Sequence, residues 1–135
     1  MRRPATHDAL VTPATLAGLL VAGAVGAPAR YLLDGSVQDR TRGAFPWGTF
    51  FVNVTGSLLL GIVTGAALYH AFPATPRIWL GTGFCGAYTT FSTFTFETIR
   101  LLEEGAVADA FGNAMASLVA GTAAAAAGLA LAAVL

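Results

Sequence analysis

The chain has 135 residues, of which 56% are hydrophobic and only 10% charged. Soluble domains carry roughly a quarter charged residues, so this supply is too small to cover a water-facing surface and a free-standing soluble domain is set aside. Seven Arg, with no Lys, balance seven Asp plus Glu to zero net charge, which excludes the basic excess of a nucleic-acid binder; the lone cysteine, Cys85, excludes an internal disulfide framework and a multi-cysteine zinc site.

Uncharged stretches run for 21 residues between Asp8 and Arg30, 34 between Arg42 and Arg77, 19 between Arg77 and Glu97, and 26 after Asp109. A helix rises about 1.5 Å per residue and needs roughly 20 mainly apolar residues to cross a ~30 Å hydrocarbon core. The spacing predicts one all-α membrane domain, 1–135, with four transmembrane helices near 13–33, 47–71, 77–102 and 106–135. The linkers between them are too short to fold on their own.

In the first span, Arg2 and Arg3 precede an apolar run, as in a secretory signal. That run is longer than a signal core, however, and ends in Gly26-Ala27-Pro28-Ala29-Arg30-Tyr31, with Pro and Arg where a cleavage site needs small residues. It reads as a membrane helix. Gly18, Gly23 and Gly26 here, Gly56, Gly61 and Gly65 in the second span, and Gly121 and Gly128 in the fourth predict a tightly packed bundle. Helices in lipid associate by close contact, and small residues let backbones approach.

In the second span Asn53 sits about two turns into the helix. Its amide could donate to an ion in a pore or make an interhelical bond that fixes packing, and the sequence leaves both open. Asn53-Val54-Thr55 is a glycosylation sequon by letter, but at membrane depth it is unusable. Arg30, at the end of the first span, is either functional or snorkels to the headgroups. Glu97 in the third span is weighed the same way, whereas His7, Asp34 and His70 read as solvated boundary groups.

The third span differs in kind. Gly81, Gly83 and Gly86 match a dinucleotide-binding fingerprint in form, but that site needs a strand, a helix and a surrounding sheet, which lipid-length helices do not provide. Gly83 and Gly86 followed by β-branched Thr89 and Thr90 predict instead a helix broken near the bilayer midplane. Irregular backbone at that depth is tolerated only where protein buries it or water lines it, and freed carbonyls commonly coordinate a cation. Beyond the break, Phe91 and Phe94 share a helical face, as do Thr89 with Ser92 and Thr93 with Phe96. Any one hydroxyl is accounted for by a bond back to a carbonyl one turn earlier. The whole cluster beside a break reads as pore lining.

With four crossings, Arg2, Arg3 and Arg77 face one compartment and Arg40, Arg42 and Arg100 the other, joined by Arg30 if it snorkels. Orientation follows the Lys and Arg excess in short loops. Three against three or four leaves almost no bias, so the chain is expected to insert both ways up and to form antiparallel pairs.

Three stretches carry a resemblance: Gly23-x-x-Gly26-Ala27-x-x-Arg30-Tyr31, Trp47-Gly48-Thr49-Phe50-x-Val52-Asn53-x-x-Gly56-Ser57, and Gly83-Phe84-Cys85-Gly86-x-Tyr88-Thr89-Thr90-Phe91-Ser92-Thr93-Phe94. Together they closely resemble the Fluc/CrcB family of microbial fluoride channels. The resemblance implies a dual-topology antiparallel homodimer in the cell (inner) membrane, with two fluoride pores and a central sodium ion. It further implies that Phe91 and Phe94 form a phenylalanine box along the fluoride path, that Asn53 lines the pore, and that Ser92, Thr93 and Ser117 belong to a hydroxyl track. Glu97 would stand near one pore end, the Gly86 and Thr89 carbonyls would hold the sodium, and Arg30 would make the vestibule electropositive. This chain departs from the family in the fourth span, with Asn113 where the family commonly has a Tyr. Two rival classes are a small multidrug exporter, which resembles a chain with a Glu inside its first span, and an accessory membrane subunit whose polar groups serve packing alone.

Overall fold

A computed structural model describes residues 12–135; Arg2, Arg3 and His7 lie outside the described residues. Helix α1 spans Pro13–Gln38 and α2 Trp47–Tyr69; a single turn, α3 (Ala74–Arg77), passes into a π-helix at Ile78–Cys85 and then into a second short turn, α4 (Gly86–Tyr88). After a break come α5 (Phe91–Glu103) and α6 (Val107–Val134), and no strand is present among the described residues. α1, α2 and α6 are each long and apolar enough to cross a bilayer, which makes the chain a multi-pass membrane protein.

α1 starts where local chemistry favours it. The Thr12 side chain accepts the Thr15 amide at 3.1 Å, and Pro13 occupies the first turn, where its missing N–H costs nothing. The helix runs without interruption through Pro28 and past Leu33 to Gln38, so residues 34–38, expected in a linker, form its last turn. The apolar pattern marks where lipid ends. The hydrogen-bonded ladder continues until the Asp39 amide closes on Gly35 O at 2.9 Å.

α2 and α6 share the most extensive helix–helix contact, and their glycines set its closeness. A Cβ on Gly61 would meet the backbone of Ala125, and one on Gly128 would meet Leu58 O and, at 2.9 Å, Ile62 N. Backbone atoms cannot rotate away as a side chain can, so these positions admit hydrogen alone. α1 lies along the π-helix in the same manner: a Cβ on Gly26 would stand 2.6 Å from Phe84 O, and the Trp79 indole N–H donates to Thr15 O at 3.0 Å.

Two expectations shift in position. Gly83 and Gly86 do not break the third segment; Gly86 is helical at φ −63°, ψ −35°, and Gly83 is a contact point where a Cβ would stand 3.0 Å from Leu19 O. The ladder widens to a π-helix beneath α1 and yields only at Thr89 (φ −78°, ψ 159°) and Thr90 (φ −146°, ψ 120°), whose branched side chains favour extended backbone. His70 is more than a solvated boundary group, because its Nε2 lies 2.6 Å from Ala132 O and ties the end of α2 to the end of α6.

Gly128→Ala is expected to destabilise the α2–α6 pair by about 1–3 kcal/mol through overpacking. Gly112→Ala, where a Cβ meets nothing within 4 Å, is expected to be neutral or to gain up to ~1 kcal/mol of helix propensity. Thermal unfolding of the two variants in detergent separates them, and equal behaviour would count against close packing at Gly128.

Candidate functional site

The break between α4 and α5 leaves backbone groups without helical partners, and the surrounding helices supply substitutes. In a continuing helix the Thr90 amide would bond to Gly86 O. Instead it donates to Asn53 Oδ1 at 2.8 Å, while Asn53 Nδ2 donates to Thr90 O at 2.9 Å. One side-chain amide thus closes a two-bond ring with one peptide unit, as a neighbouring strand would. The same residue also caps α5: Thr90 Oγ1 accepts the Thr93 amide at 3.2 Å. Tyr88, just before the break, is buried, and its hydroxyl lies 2.8 Å from Thr55 Oγ1 on α2. Arg30 reaches inward from α1 to Thr89 O at 3.5 Å, not outward to a headgroup.

These substitutions leave the Gly86 carbonyl without the amide that a continuing helix would provide. Thr89 O keeps a second lone pair beside its long bond to Arg30. Neutral carbonyl oxygens at an unwound helix end are hard ligands of the kind that hold a monovalent cation.

Alongside the break an open groove of about 480 Å³ runs between α2, the broken segment and α6. Asn53, Gly86, Thr89, Phe91, Phe94 and Ser117 all line it. The Phe91 and Phe94 rings lie 5.9 Å apart at 42° to each other, and Phe91 is 79% exposed on the single chain. Arg30, Ser92, Thr93 and Glu97, also expected along the path, do not line this groove. Ser92 and Thr93 instead surround the cap, with their hydroxyls 3.3 and 3.0 Å from Thr90 Oγ1. Among the described residues, one buried oxygen of Glu97 and the hydroxyl of buried Thr49, which stands beside it on α2, have no hydrogen-bond partner.

Several residues at the site are not singled out by the sequence: Thr90 as the clamped unit, Tyr88 and Thr55 as a second anchor, Thr49 beside Glu97, and Thr98. Apart from the β-branching of Thr90, their only sequence signal is spacing. Thr49 and Asn53 stand four apart on α2, as do Thr90, Phe94 and Thr98 on the segment that enters α5, so each set shares a helical face. Asn113 is 1% exposed; its Nδ2 donates to Thr98 Oγ1 at 2.9 Å, and its Oδ1 lies 3.4 Å from Ser117 Oγ. It faces protein, not the groove.

Fold and site together define an all-helical, multi-pass membrane protein whose polar side chains converge on a broken helix. Comparison with known proteins gives that class a family. The family model described as CrcB-like protein, Camphor Resistance (CrcB), matches residues 17–129. Fluoride-specific ion channel FluC 1 of Streptomyces avermitilis is 54% identical over 112 residues, covering 82% of this chain and 90% of that protein. Fluoride-specific ion channel FluC 1 of Frankia casuarinae is 52% identical over 84% of this chain and 93% of its own, and Fluoride-specific ion channel FluC of Geobacter sulfurreducens 47% over 77% and 85%. The chain belongs to the CrcB family.

Asn53→Ala is expected to cost about 2 to 5 kcal/mol, because it strands both a buried N–H and a buried C=O of Thr90. Asn53→Asp is expected to restore less than half of this, since a carboxylate accepts from the Thr90 amide but cannot donate to Thr90 O. Tryptophan-monitored thermal unfolding in detergent checks both; an unchanged midpoint for Asn53→Ala would show that the break does not depend on the clamp.

Proposed function

We propose that the chain is a passive, fluoride-selective channel and not an enzyme, working as a dual-topology antiparallel homodimer of four-crossing subunits in the cell (inner) membrane. The observation that carries this reading is the groove itself, in which an Asn amide, two phenyl rings and a Ser converge beside a broken helix with no acidic side chain among the lining residues. The names of the relatives point to the same ion.

Fluoride is the smallest halide and the most tightly hydrated, so a pore must replace water contacts with donors or positive edges. Asn53 commits one of its two Nδ2 hydrogens to Thr90 O and keeps the other. The rims of the Phe91 and Phe94 rings carry the positive part of the aromatic quadrupole, and two rings 5.9 Å apart offer such edges without a charge that would trap the ion. The Ser117 hydroxyl lines the same groove. Ser92, Thr93 and Glu97 contribute from outside it, by holding the cap and by polarising one end. Arg30, directed at the break, contributes positive potential and no contact with the path.

The Gly86 and Thr89 carbonyls fit a sodium ion in donor type, and two antiparallel copies would double the number of oxygens. Bound there, sodium would supply positive charge near the anion path and join the two chains. Two further observations support the pairing. Phe91 stands largely uncovered on the single chain, and the Arg distribution gives almost no orientation bias.

The rival readings carry less. The nearest acidic residue to the first span is Asp34, in the last turn of α1 with its carboxylate against Gly48, far from the deep position that an exporter resembling a small multidrug pump would need. An accessory subunit would pass no ion when purified.

Proteoliposomes loaded with fluoride are expected to lose it, without ATP, once a potassium ionophore permits charge compensation, and to retain chloride. Phe91→Ile and Phe94→Ile are each expected to slow this efflux about tenfold, since a lost ring edge of ~1.5 kcal/mol raises a barrier by that factor. Chloride leaving as fast as fluoride, or an ATP requirement, would overturn the channel reading. Dual topology has its own check: Ala44→Cys, in the exposed loop after α1, on a Cys85→Ala background, is expected to be labelled from outside intact cells in about half of the molecules. Labelling of all or none would place every chain the same way up.

A further inference from the structure

α5 carries Phe94 yet is lightly held. Only Leu101 of its side chains is buried, and its start depends on the Asn53 clamp at Thr90. Among the described residues a single hydrogen bond joins it to α6, from Asn113 Nδ2 to Thr98 Oγ1 at 2.9 Å. Thr98 in turn donates to Phe94 O at 2.7 Å, so the three groups form one directional relay from α6 into the peptide of the ring-bearing residue. Thr90, Phe94 and Thr98 follow one another at intervals of one turn. Phe94 is therefore bracketed by two amide clamps on its own face, one from α2 and one from α6. Because α2 and α6 are locked together through Gly61 and Gly128, the two clamps share a rigid frame.

We propose that Asn113, through Thr98, is a positioning residue that holds the Phe94 ring at its place in the groove. The inference rests on the channel reading and deepens it, since it assigns a residue outside the groove to control of the ring inside it. Asn113 is 1% exposed, so contact with a passing ion is not available to it in this arrangement. Its oxygen also receives the Ser117 hydroxyl at 3.4 Å, so the same amide orients a second groove-lining group. An amide suits this task because it donates and accepts in one plane. Without it, Thr98 would keep only its bond to Phe94 O within α5, Ser117 would lose its acceptor, and α5 would be free to roll about its own axis.

The test combines flux with a reading of the ring. Efflux is measured in proteoliposomes for Asn113→Leu, Thr98→Val, the double variant and Thr98→Ser, each normalised to monodisperse, reconstituted protein. In parallel, para-fluorophenylalanine at position 94 is followed by fluorine NMR in detergent. Asn113→Leu and Thr98→Val are each expected to slow fluoride efflux about tenfold. The double variant is expected to be no slower than the worse single, because both remove the same bond. Thr98→Ser, which keeps the hydroxyl, is expected to retain most of the rate. The probe is expected to give one sharp line in the parent and in Thr98→Ser, and a broad or split line where the relay is cut. Thr98→Val is nearly isosteric, so it tests the relay even if Asn113→Leu does not assemble. Losses that multiply, or an unchanged probe line in Thr98→Val, would overturn the proposal. If the parent itself passes no fluoride the channel reading falls, and the probe line still decides whether Asn113 positions the ring.

Discussion

The two hydrogen bonds between the Asn53 amide and the Thr90 peptide unit are what the rest of the site depends on. A helix interrupted at membrane depth exposes donors and acceptors with no water to satisfy them, at a cost of several kcal/mol for each unpaired group. Asn53 meets both ends of one peptide at 2.8 and 2.9 Å. With Thr90 held, its hydroxyl is in place to cap α5, Phe91 and Phe94 begin a new helix, and Gly86 O is left without its helical amide. Removing that clamp would unsettle the Gly86 and Thr89 carbonyls and the rings together, because both are defined by where the chain stops being helical.

The break tolerates this because its surroundings are rigid. α2, which carries Asn53, is fixed to α6 by contacts too close for any side chain at Gly61 or Gly128. α1 presses on the π-helix through Gly26 and through Thr15, which accepts the Trp79 indole. In lipid, where apolar side chains gain little by leaving the solvent, such backbone-to-backbone proximity is the main source of cohesion. The polar groups are then few and individually placed: Asn53 on α2 holds the segment at Thr90, Thr55 on α2 meets Tyr88, and Asn113 on α6 holds it at Thr98. A π-helix just ahead of the break lets the segment adjust its rotation before it meets them.

The electrostatic design follows from the same economy. Among the described residues no acidic side chain lines the groove, and Arg30 and Glu97 stand at its margins, against Thr89 O and beside Thr49. On the proposed path a full positive charge would hold a fluoride ion too well, whereas an amide, hydroxyls and ring edges would spread a modest attraction over several contacts. Arg30 stands against the backbone of the break, outside the groove lining.

What the sequence determined by itself was everything set by composition along one dimension. Charge spacing marked the apolar stretches, the glycines marked close packing, and β-branched Thr89 and Thr90 beside Gly86 marked an interruption, because hydropathy and backbone preference act residue by residue. The end of α1 at Gln38 was not legible, since a helix can outlast the lipid that surrounds it. The placement of the break at Thr89 and Thr90, and not at Gly83, was decided by α1, which needs Gly83 for contact and so keeps it helical. Partner choice was likewise tertiary. Asn53 finds Thr90 across 37 positions of sequence and Asn113 finds Thr98 across 15, and an amide read alone is as ready to meet an ion as a peptide. Only the packing of α2 and α6 around the broken segment decides between them, because a hydrogen bond requires two groups at one distance and a sequence states only that each exists.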